Sequence, residues 1–238
     1  MTRPVIPVEE KPILFTAQLV NAILEDRKLE TRRLITRIIS KDRVSEFGPS
    51  TTPGYDFHFR DRYALWNDVD RDWVIKRCPY GKPGSQLWVR ETWGPMRGFY
   101  DPAVAKTKPS DLSRDEEIIY RATHEWGDSL PVNLTADWRP SIHMPRWASR
   151  IDLKVEEIRI EPLHEIDELG ALAEGCLGAK KKGTLQASNG TTTGEFIVGT
   201  AREEFRRLWD AINAKRGFGW ESNPYVWVVR FSRIRKGT

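Results

Sequence analysis

The chain has 238 residues, 39% hydrophobic and 30% charged, which suits one large domain, or a small domain with long insertions, that buries a core. Its formal net charge of +4 permits nucleic-acid binding without requiring it. No apolar run is long enough to cross a membrane and no signal peptide opens the chain, so a cytoplasmic protein is expected. Cys78 and Cys176 are too few and too distant for a disulfide scaffold or a cysteine-rich zinc site.

A helix followed by a strand is predicted near the start of the chain. A short strand at Ile13–Phe15 leads to Thr16, the predicted N-cap of the helix. Apolar residues then recur at helical spacing as far as Leu24, after which Leu29, Thr31 and Arg33 alternate as on a strand. Lys28 therefore lies at the turn between two packed elements, where chemistry is found more often than in the middle of a helix.

The protonation state of Lys28 depends on two opposing effects. Repulsion from Arg27, Arg32 and Arg33 lowers its pKa, whereas the dipole of the preceding helix favours the cation. The sequence does not rank the two. A lysine with a lowered pKa could take a proton as a general base. The alternative is that this basic run forms a solvated surface.

Residues 40–85 are interpreted as an insertion, in which Tyr55–Arg60 alternates aromatic and polar residues as in a hairpin. A strand is predicted at Gln86–Thr92. Arg90 and Glu91 point to opposite faces of that strand, so one of them must face solvent or a cleft. They form either a structural ion pair at the strand end or a ligand contact.

His143, Arg146 and Trp147 precede a strand that begins near Ile151. Basic groups beside an aromatic ring suit phosphate contact combined with base stacking. The alternative is a rigid surface turn with an edge tryptophan. Along the strand the apolar parity changes near Glu156, which predicts a β-bulge.

A short helix is predicted from its N-cap, Asp167, to Glu174, with Gly175 as the stop. A carboxylate at a helix C-terminus is electrostatically unfavourable, which suggests that Glu174 has a role elsewhere. Residues 178–199 are rich in Gly, Thr and Ser and are predicted to form a mobile loop. That loop is either a surface insertion or a segment that covers a cleft or contacts nucleic acid through Lys180–Lys182.

The last helix and strand have clear local signals. Thr200 and Glu203 form a capping box at the start of a helix. The core face of this helix is predicted to comprise Phe205, Leu208, Trp209 and Ile212. The closing strand, Tyr225–Ile234, is apolar on both faces, as in the middle of a sheet.

Together these elements predict a single α+β domain over residues 1–238. It is a small mixed β-barrel with about three packed helices and long insertions at about 40–85, 94–140 and 178–199. No phosphate loop, dinucleotide fingerprint, nucleophile elbow or metal-ligand spacing occurs, so no cofactor and no metal are predicted.

The chain resembles the ASCH domain family in four blocks: ILEDRKLETRR, KPGSQLWVRETW, SRIDLKVEEIRIEPL with the helix ending in ALAEG, and YVWVVRF. Their order and internal spacing agree with that family, and together they span most of the chain. The chain is most similar to the longer members that bacteriophages and prophages carry, which implies a PUA-like barrel acting in a bacterial host cell. It departs from the family's motif at Asp26 and Leu29, where glycine and threonine are usual.

One small bacterial member of that family removes the acetyl group from N4-acetylcytidine. By resemblance, its catalytic lysine, threonine and glutamate fall on Lys28, Thr31 and Glu174, and the arginine that closes its motif falls on Arg33. The resemblance thus implies an amidohydrolase in which Lys28 takes a proton from Thr31 or from water. Arg33 or a backbone N–H would stabilise the oxyanion and Glu174 would protonate the leaving amine. This mechanism needs a turn between Lys28 and Thr31.

Two further functions fit the same residues. A non-catalytic binder of RNA, or less readily of DNA, would use a basic groove lined by residues such as Arg90, Arg146, Trp147 and Lys180. Some members of the family that the chain resembles are associated with ribonuclease activity, so the resemblance also implies a ribonuclease that uses that groove with Lys28 or His143 as acid or base. Substrate or nucleic-acid contacts are assigned to Arg33, Arg90, Glu91, His143, Arg146 and Trp147. The predicted partner is a nucleoside or nucleic acid, and no membrane partner is expected.

Overall fold

The structure is a computed structural model that describes residues 8–36, 46–125, 138–187 and 190–235, and only the backbone within 179–198. Its strands are β1 (Glu10–Leu14), β2 (Glu30–Leu34), β3 (Glu46–Pro49), β4 (Phe57–Arg60), β5 (Trp66–Val69), β6 (Gln86–Arg90), β7 (Trp93–Pro95), β8 (Ile118–Tyr120), β9 (Asp152–Pro162), β10 (Ala179–Ala187), β11 (Gly190–Val198) and β12 (Tyr225–Ile234). Its α-helices are α1 (Ala17–Leu24), α2 (Arg71–Ile75), α3 (Pro102–Lys106), α4 (Glu168–Ala173) and α5 (Ala201–Asn213). The mixture of helices with several sheets confirms the α+β class.

The strand pairings of the described residues form open sheets and do not close into the predicted barrel. Closure requires every strand to pair on both sides, whereas β1 has a neighbour, β6, on one side. The PUA-like form of the fold therefore stays a prediction. In the described part of the chain, no helix combines the length and the apolar composition needed to cross a bilayer.

The chain divides into two compact units. The first takes its described residues from Met1–Asp26, Pro79–Glu157 and Phe231–Thr238, and the second takes them from Arg27–Cys78 and Ile158–Arg230. Strands β9 and β12 each begin in one unit and end in the other. The prediction of a single domain with three insertions stays a prediction, and residues 40–45 and 126–137 of those insertions lie outside the described residues.

The first unit is built around β6, which pairs in parallel with β1 and antiparallel with the first residues of β9. Alternate residues of these strands point into one core, which includes Ile13, Leu87, Val89, Leu153 and Val155. Strands β7 and β8 form a separate antiparallel pair beside a second cluster around Trp93 and Met144. Glu156 and Glu157 are both exposed, so the buried parity of β9 changes there, as the sequence predicts.

The second unit contains the antiparallel pair of β2 and β12 and the meander of β3, β4 and β5. Residues Val226–Val229 are fully buried, which confirms that β12 is apolar on both faces. The meander contains the hairpin that the pattern at Tyr55–Arg60 predicts. Helices α4 and α5 pack on the same core as β12, whose members include Leu163, Ala171, Phe205, Trp209, Val226 and Val228.

Two predictions for the second unit are wrong. Within the range 178–199, Ala179–Ala187 and Gly190–Val198 pair as the antiparallel strands β10 and β11 in place of a loop. Their Gly, Thr and Ser residues carry no apolar alternation, so the strand signal was hidden. The side chains of Lys180–Lys182 lie outside the described residues. On α5, Ile212 is 57% exposed and does not join the core, although Phe205 and Trp209 do.

The ends of the helices follow the predicted capping residues. Asp167 accepts a 2.7 Å hydrogen bond from the backbone N–H of Gly170 at the start of α4, and Gly175 follows its C-cap with a φ of +91°. Thr200 and Glu203 form the capping box of α5. The described residues contain five α-helices where about three were predicted, because α2 and α3 are single turns that carry little periodic signal.

Candidate functional site

Lys28 lies in a short connection between α1 and β2, as predicted. The connection begins with a turn in which Asp26 has a φ of +55°. This is the left-handed region, which favours glycine and tolerates aspartate. Asp26 thus adopts a conformation that glycine favours, at a position where the resemblance leads one to expect glycine. Lys28 precedes the first residue of β2, Glu30, so the turn that the proposed chemistry needs lies before Thr31.

Lys28 and Glu174 form a buried ion pair in the second unit. Nζ of Lys28 lies 2.6 Å from Oε2 of Glu174, although 146 residues separate the two in sequence. The same Nζ donates to the backbone carbonyl of Glu174 and to that of Glu30, each at 2.8 Å. Lys28 is 1% exposed and Glu174 is 5% exposed. Three acceptors match the three protons of the ammonium group.

The other carboxylate oxygen of Glu174 contacts Arg32. Oε1 accepts a hydrogen bond from the backbone N–H of Arg32 and lies 3.6 Å from Nη1 of the same residue. Nη1 of Arg32 also lies 3.5 Å from Oε2 of Glu30, and Nη2 lies 3.5 Å from Oε2 of Glu161. Arg32 therefore links the Lys28–Glu174 pair to a wider network of alternating charges, which a contact from Arg159 to Glu30 at 3.2 Å continues.

Arg32 is a site residue that the sequence analysis did not select. The resemblance directs attention to Arg33, whose positive charge acts on Lys28 but which lies on the opposite face of β2. The signal was present in the alternation of the strand, because Glu30 and Arg32 share one face whereas Thr31 and Arg33 share the other. Thr31 is buried and pairs with Val229 of β12.

The pKa of Lys28 is lowered below its ordinary value, because burial removes the ammonium group from water. The charge and hydrogen bond of Glu174 oppose this shift, and the charge of Arg33 adds to it. Nearby, burial together with the negative charges of Glu204 and Glu174 raises the pKa of the Cys176 thiol to about 12. The site therefore favours a lysine that releases its proton more readily than an exposed one.

Two hydrogen bonds to backbone carbonyls, one from a backbone N–H and one from a side chain, hold the two halves of the site together. The N–H of Leu29 donates to the carbonyl of Ala173 at 2.7 Å. Nη1 of Arg27 donates to the carbonyl of Gly175 at 3.1 Å. The residues on either side of Lys28 are thus fixed to those on either side of Glu174, so the pair is positioned by the main chain as well as by its own contact.

A pocket of about 480 Å³ lies next to this pair, within the second unit. The charged residues that line it are Glu30, Glu161, Glu165, Asp167, Arg32, Arg159 and Arg230. Four carboxylates face three guanidinium groups, so the lining is mixed rather than basic. Lys28, Thr31 and Glu174 are not among its lining residues. The predicted basic cleft stays a prediction.

Arg90 and Glu91 lie in the first unit and have separate partners. Nε of Arg90 donates to the carbonyl of Met144 at 3.1 Å, and its Nη2 donates to the carbonyl of Ile142. Glu91 is 1% exposed and pairs with Arg150 through two bonds of 2.9 and 3.0 Å. Burial raises the pKa of Glu91, and Arg150 opposes that shift. Of the two sequence alternatives, these contacts resemble the structural ion pair.

Arg146, Trp147 and His143 also belong to the first unit. Arg146 forms two hydrogen bonds with Glu10, at 2.8 and 3.2 Å, and lies 2.9 Å from Asp152. Trp147 is partly buried with its ring edge-on to Trp93, 6.3 Å between centroids. His143 is exposed in a single 3₁₀ turn. These partners already neutralise much of the positive charge that a phosphate group would need.

Comparison with known proteins adds no identification. No protein-family model, no curated protein and no solved structure matches the chain. Over the residues that the structure describes, no three His, Cys, Asp or Glu side chains are grouped as a metal ion requires.

Proposed function

We propose that this chain is an ASCH-type protein that binds a nucleoside and hydrolyses N4-acylated cytidines through Lys28, Thr31 and Glu174. One observation supports this most strongly. An amine and a carboxylate from distant segments, both named by the resemblance, lie 2.6 Å apart and buried. Burying two charges carries a desolvation cost, and such perturbed groups cluster at functional sites.

In the proposed reaction, Lys28 carries out both proton transfers, first as general base and then as general acid. Neutral Lys28 takes the proton of the Thr31 hydroxyl or of water, and the resulting oxygen attacks the amide carbonyl carbon. The carbon–nitrogen bond then breaks, and the exocyclic amine of cytidine leaves with a proton. Both oxygens of Glu174 accept hydrogen bonds, which is the pattern of a carboxylate. Glu174 therefore orients and stabilises the Lys28 ammonium, and that ammonium donates the proton to the amine.

If Thr31 attacks, the product is first an acyl ester of its hydroxyl, and water then releases the carboxylic acid. If water attacks directly, the acid forms in the same step. In both cases the net reaction consumes one water and yields cytidine and a carboxylic acid.

The test measures cytidine release from a panel of N4-acylated cytidines by the purified protein. Lys28→Met is expected to lower kcat/KM by about 100-fold or more, because general-base catalysis contributes at that scale. Thr31→Val is expected to lower kcat/KM by a similar factor if Thr31 attacks, and to leave it nearly unchanged if water attacks. Lys154→Met is the matched control, since Lys154 is exposed in the first unit. No turnover on any acylated cytidine would contradict the proposal.

A second candidate is a non-catalytic reader of RNA. The observation that favours it is that all three protons of the Lys28 ammonium group have hydrogen-bond acceptors, as in a purely structural ion pair. Fluorescence anisotropy with single-stranded RNA would test it. Affinity is expected to fall steeply between about 50 and about 200 mM salt, because bound phosphates release counterions. Binding that is absent or independent of salt would contradict the RNA reader.

A further inference from the structure

The pocket beside the Lys28–Glu174 pair has two chemically different sides. Leu29, Leu169 and Ala173 form an apolar wall. The other lining residues are mostly charged and include Glu30 and Arg32 of β2 together with residues of β9 and β12. A volume of about 480 Å³ falls in the range of about 300 to 1,000 Å³ that small-molecule sites occupy. A ligand suited to this pocket is amphipathic.

The apolar wall is covalently continuous with the proposed catalytic residues. Leu29 directly follows Lys28, and Ala173 directly precedes Glu174. The 2.7 Å hydrogen bond from Leu29 N–H to the Ala173 carbonyl joins these two neighbours. A group that lies against Leu29 and Ala173 therefore contacts residues that are adjacent in sequence to both members of the pair.

Both leucines of the wall are exposed to solvent. Leu169 is 73% exposed and Leu29 is 41% exposed. Leaving them in water forgoes the free energy that burial of apolar area provides. An apolar group in the pocket would recover part of that free energy, which a methyl group is too small to do for both leucines.

The charged side of the pocket is largely neutralised within itself. Arg159 lies 3.2 Å from Glu30 and 2.7 Å from Glu161, and Arg32 lies near the same two carboxylates. This side therefore offers hydrogen-bond donors and acceptors to an uncharged polar group, such as an amide or a pyrimidine edge. With one more carboxylate than guanidinium group, the lining as a whole gives no advantage to an anion.

We propose that the wall of Leu29 and Leu169 binds the acyl part of the substrate, so that the chain prefers acyl groups larger than acetyl. This rests on the proposed deacylase function and names the substrate class within it: N4-aroyl or long N4-acyl cytidines, hydrolysed to cytidine and the corresponding carboxylic acid. It uses the route in which water attacks directly, because Thr31 lies on the face of β2 opposite the pocket-lining residues Glu30 and Arg32. Leu29 and Leu169 are then the residues that determine specificity.

The experiment compares N4-benzoylcytidine with N4-acetylcytidine on the full chain, Leu169→Ala and Leu172→Ala. Leu172 is the matched control because it lies on the same helix and is 40% exposed, yet does not line the pocket. The wild-type chain is expected to favour the benzoyl substrate in kcat/KM by about fivefold or more. Leu169→Ala should lose that preference and Leu172→Ala should keep it. Calorimetric titration with both compounds supplies affinities in parallel.

The outcomes separate the two proposals. Turnover with no benzoyl preference, or with a preference that Leu169→Ala leaves unchanged, overturns the acyl-wall proposal and leaves the deacylase standing. Benzoyl-selective binding that depends on Leu169, without turnover of either compound, supports the acyl-binding wall and overturns the deacylase. Neither binding nor turnover overturns both. Because Leu169 is largely exposed, its replacement is not expected to prevent folding.

Discussion

Lys28 combines full burial with a full set of hydrogen-bond partners. Its ammonium group loses its contact with water, and Glu174 with two carbonyls replaces that contact. Such a pair adds little stability over an apolar pair, but removal of one partner leaves a buried charge without its counterion. The same residue can therefore be both a structural element and a base of lowered pKa.

Replacing Lys28 by Met is expected to lower the free energy of unfolding by about 3 kcal/mol, because Glu174 then stays buried without its nearest cation. Urea denaturation of the purified variant measures this. Lys154→Met is the control: Lys154 pairs with Glu156 at 3.4 Å on the surface, and its loss should cost about 0.5 kcal/mol or less. Similar losses of unfolding free energy for the two variants would contradict the expectation that the buried pair is more costly to break than the surface pair.

Helices α1 and α5 differ in how their first turns are satisfied. The Thr200 hydroxyl accepts from the N–H of Glu203 at 3.2 Å, and Glu203 accepts from the N–H of Thr200 at 3.0 Å. Thr16 is also an N-cap, but its side chain makes no capping hydrogen bond. The same residue type thus occupies the same position in two helices with different bonding.

Thr200→Ala is expected to lower the free energy of unfolding by about 1 kcal/mol, because a backbone N–H loses its acceptor. Thr16→Ala should change it by a few tenths of that amount, since no side-chain bond is lost there. Thermal or urea unfolding of the two variants provides the comparison. A larger loss at Thr16 than at Thr200 would contradict the assigned caps.

The stability of the whole molecule should depend on alkaline pH through Cys176. Its folded pKa is raised from 9.0 to about 12. A group whose pKa is higher in the folded state than in the unfolded state stabilises the fold at pH values below its unfolded pKa. This contribution is lost as the pH rises through its folded pKa. Over the range from 9.0 to about 12, the unfolded thiol ionises while the folded thiol keeps its proton.

Cys176→Ala and Cys176→Ser remove this titration. The difference in unfolding free energy between the wild type and either variant should therefore shift against the wild type as pH rises through that range. Denaturation at a series of pH values measures the shift. A constant difference across the range would show that the thiol ionises alike in both states.

The sequence predicts those elements whose signals are local. Helix α4 follows from its capping residue Asp167 and its stop at Gly175, and β12 follows from a continuous apolar run. The hairpin of β10 and β11 could not be predicted, because its pairing depends on residues with no apolar period. Local sequence signals therefore identify elements that have a capping residue or an apolar run better than elements that have neither.

The site was accessible to sequence reasoning only in part. No local pattern connects Lys28 with Glu174 across 146 residues, and only the resemblance to a family placed them together. Arg32 was within reach, because strand alternation puts it on the face of Glu30, but three nearby arginines hide which one is buried. Burial is a property of the packed chain, and the sequence does not rank such neighbours.

The hydrogen bond between the Leu29 N–H and the Ala173 carbonyl allows local opening of the site to be measured by hydrogen exchange. Both residues line the pocket, so any opening that separates α4 from the start of β2 must break this bond. The amide proton of Leu29 should then exchange with deuterated solvent only through openings that break this bond, so its protection measures their free energy. One resolved amide signal would thus report on openings of the backbone beside the Lys28–Glu174 pair in the absence of any ligand.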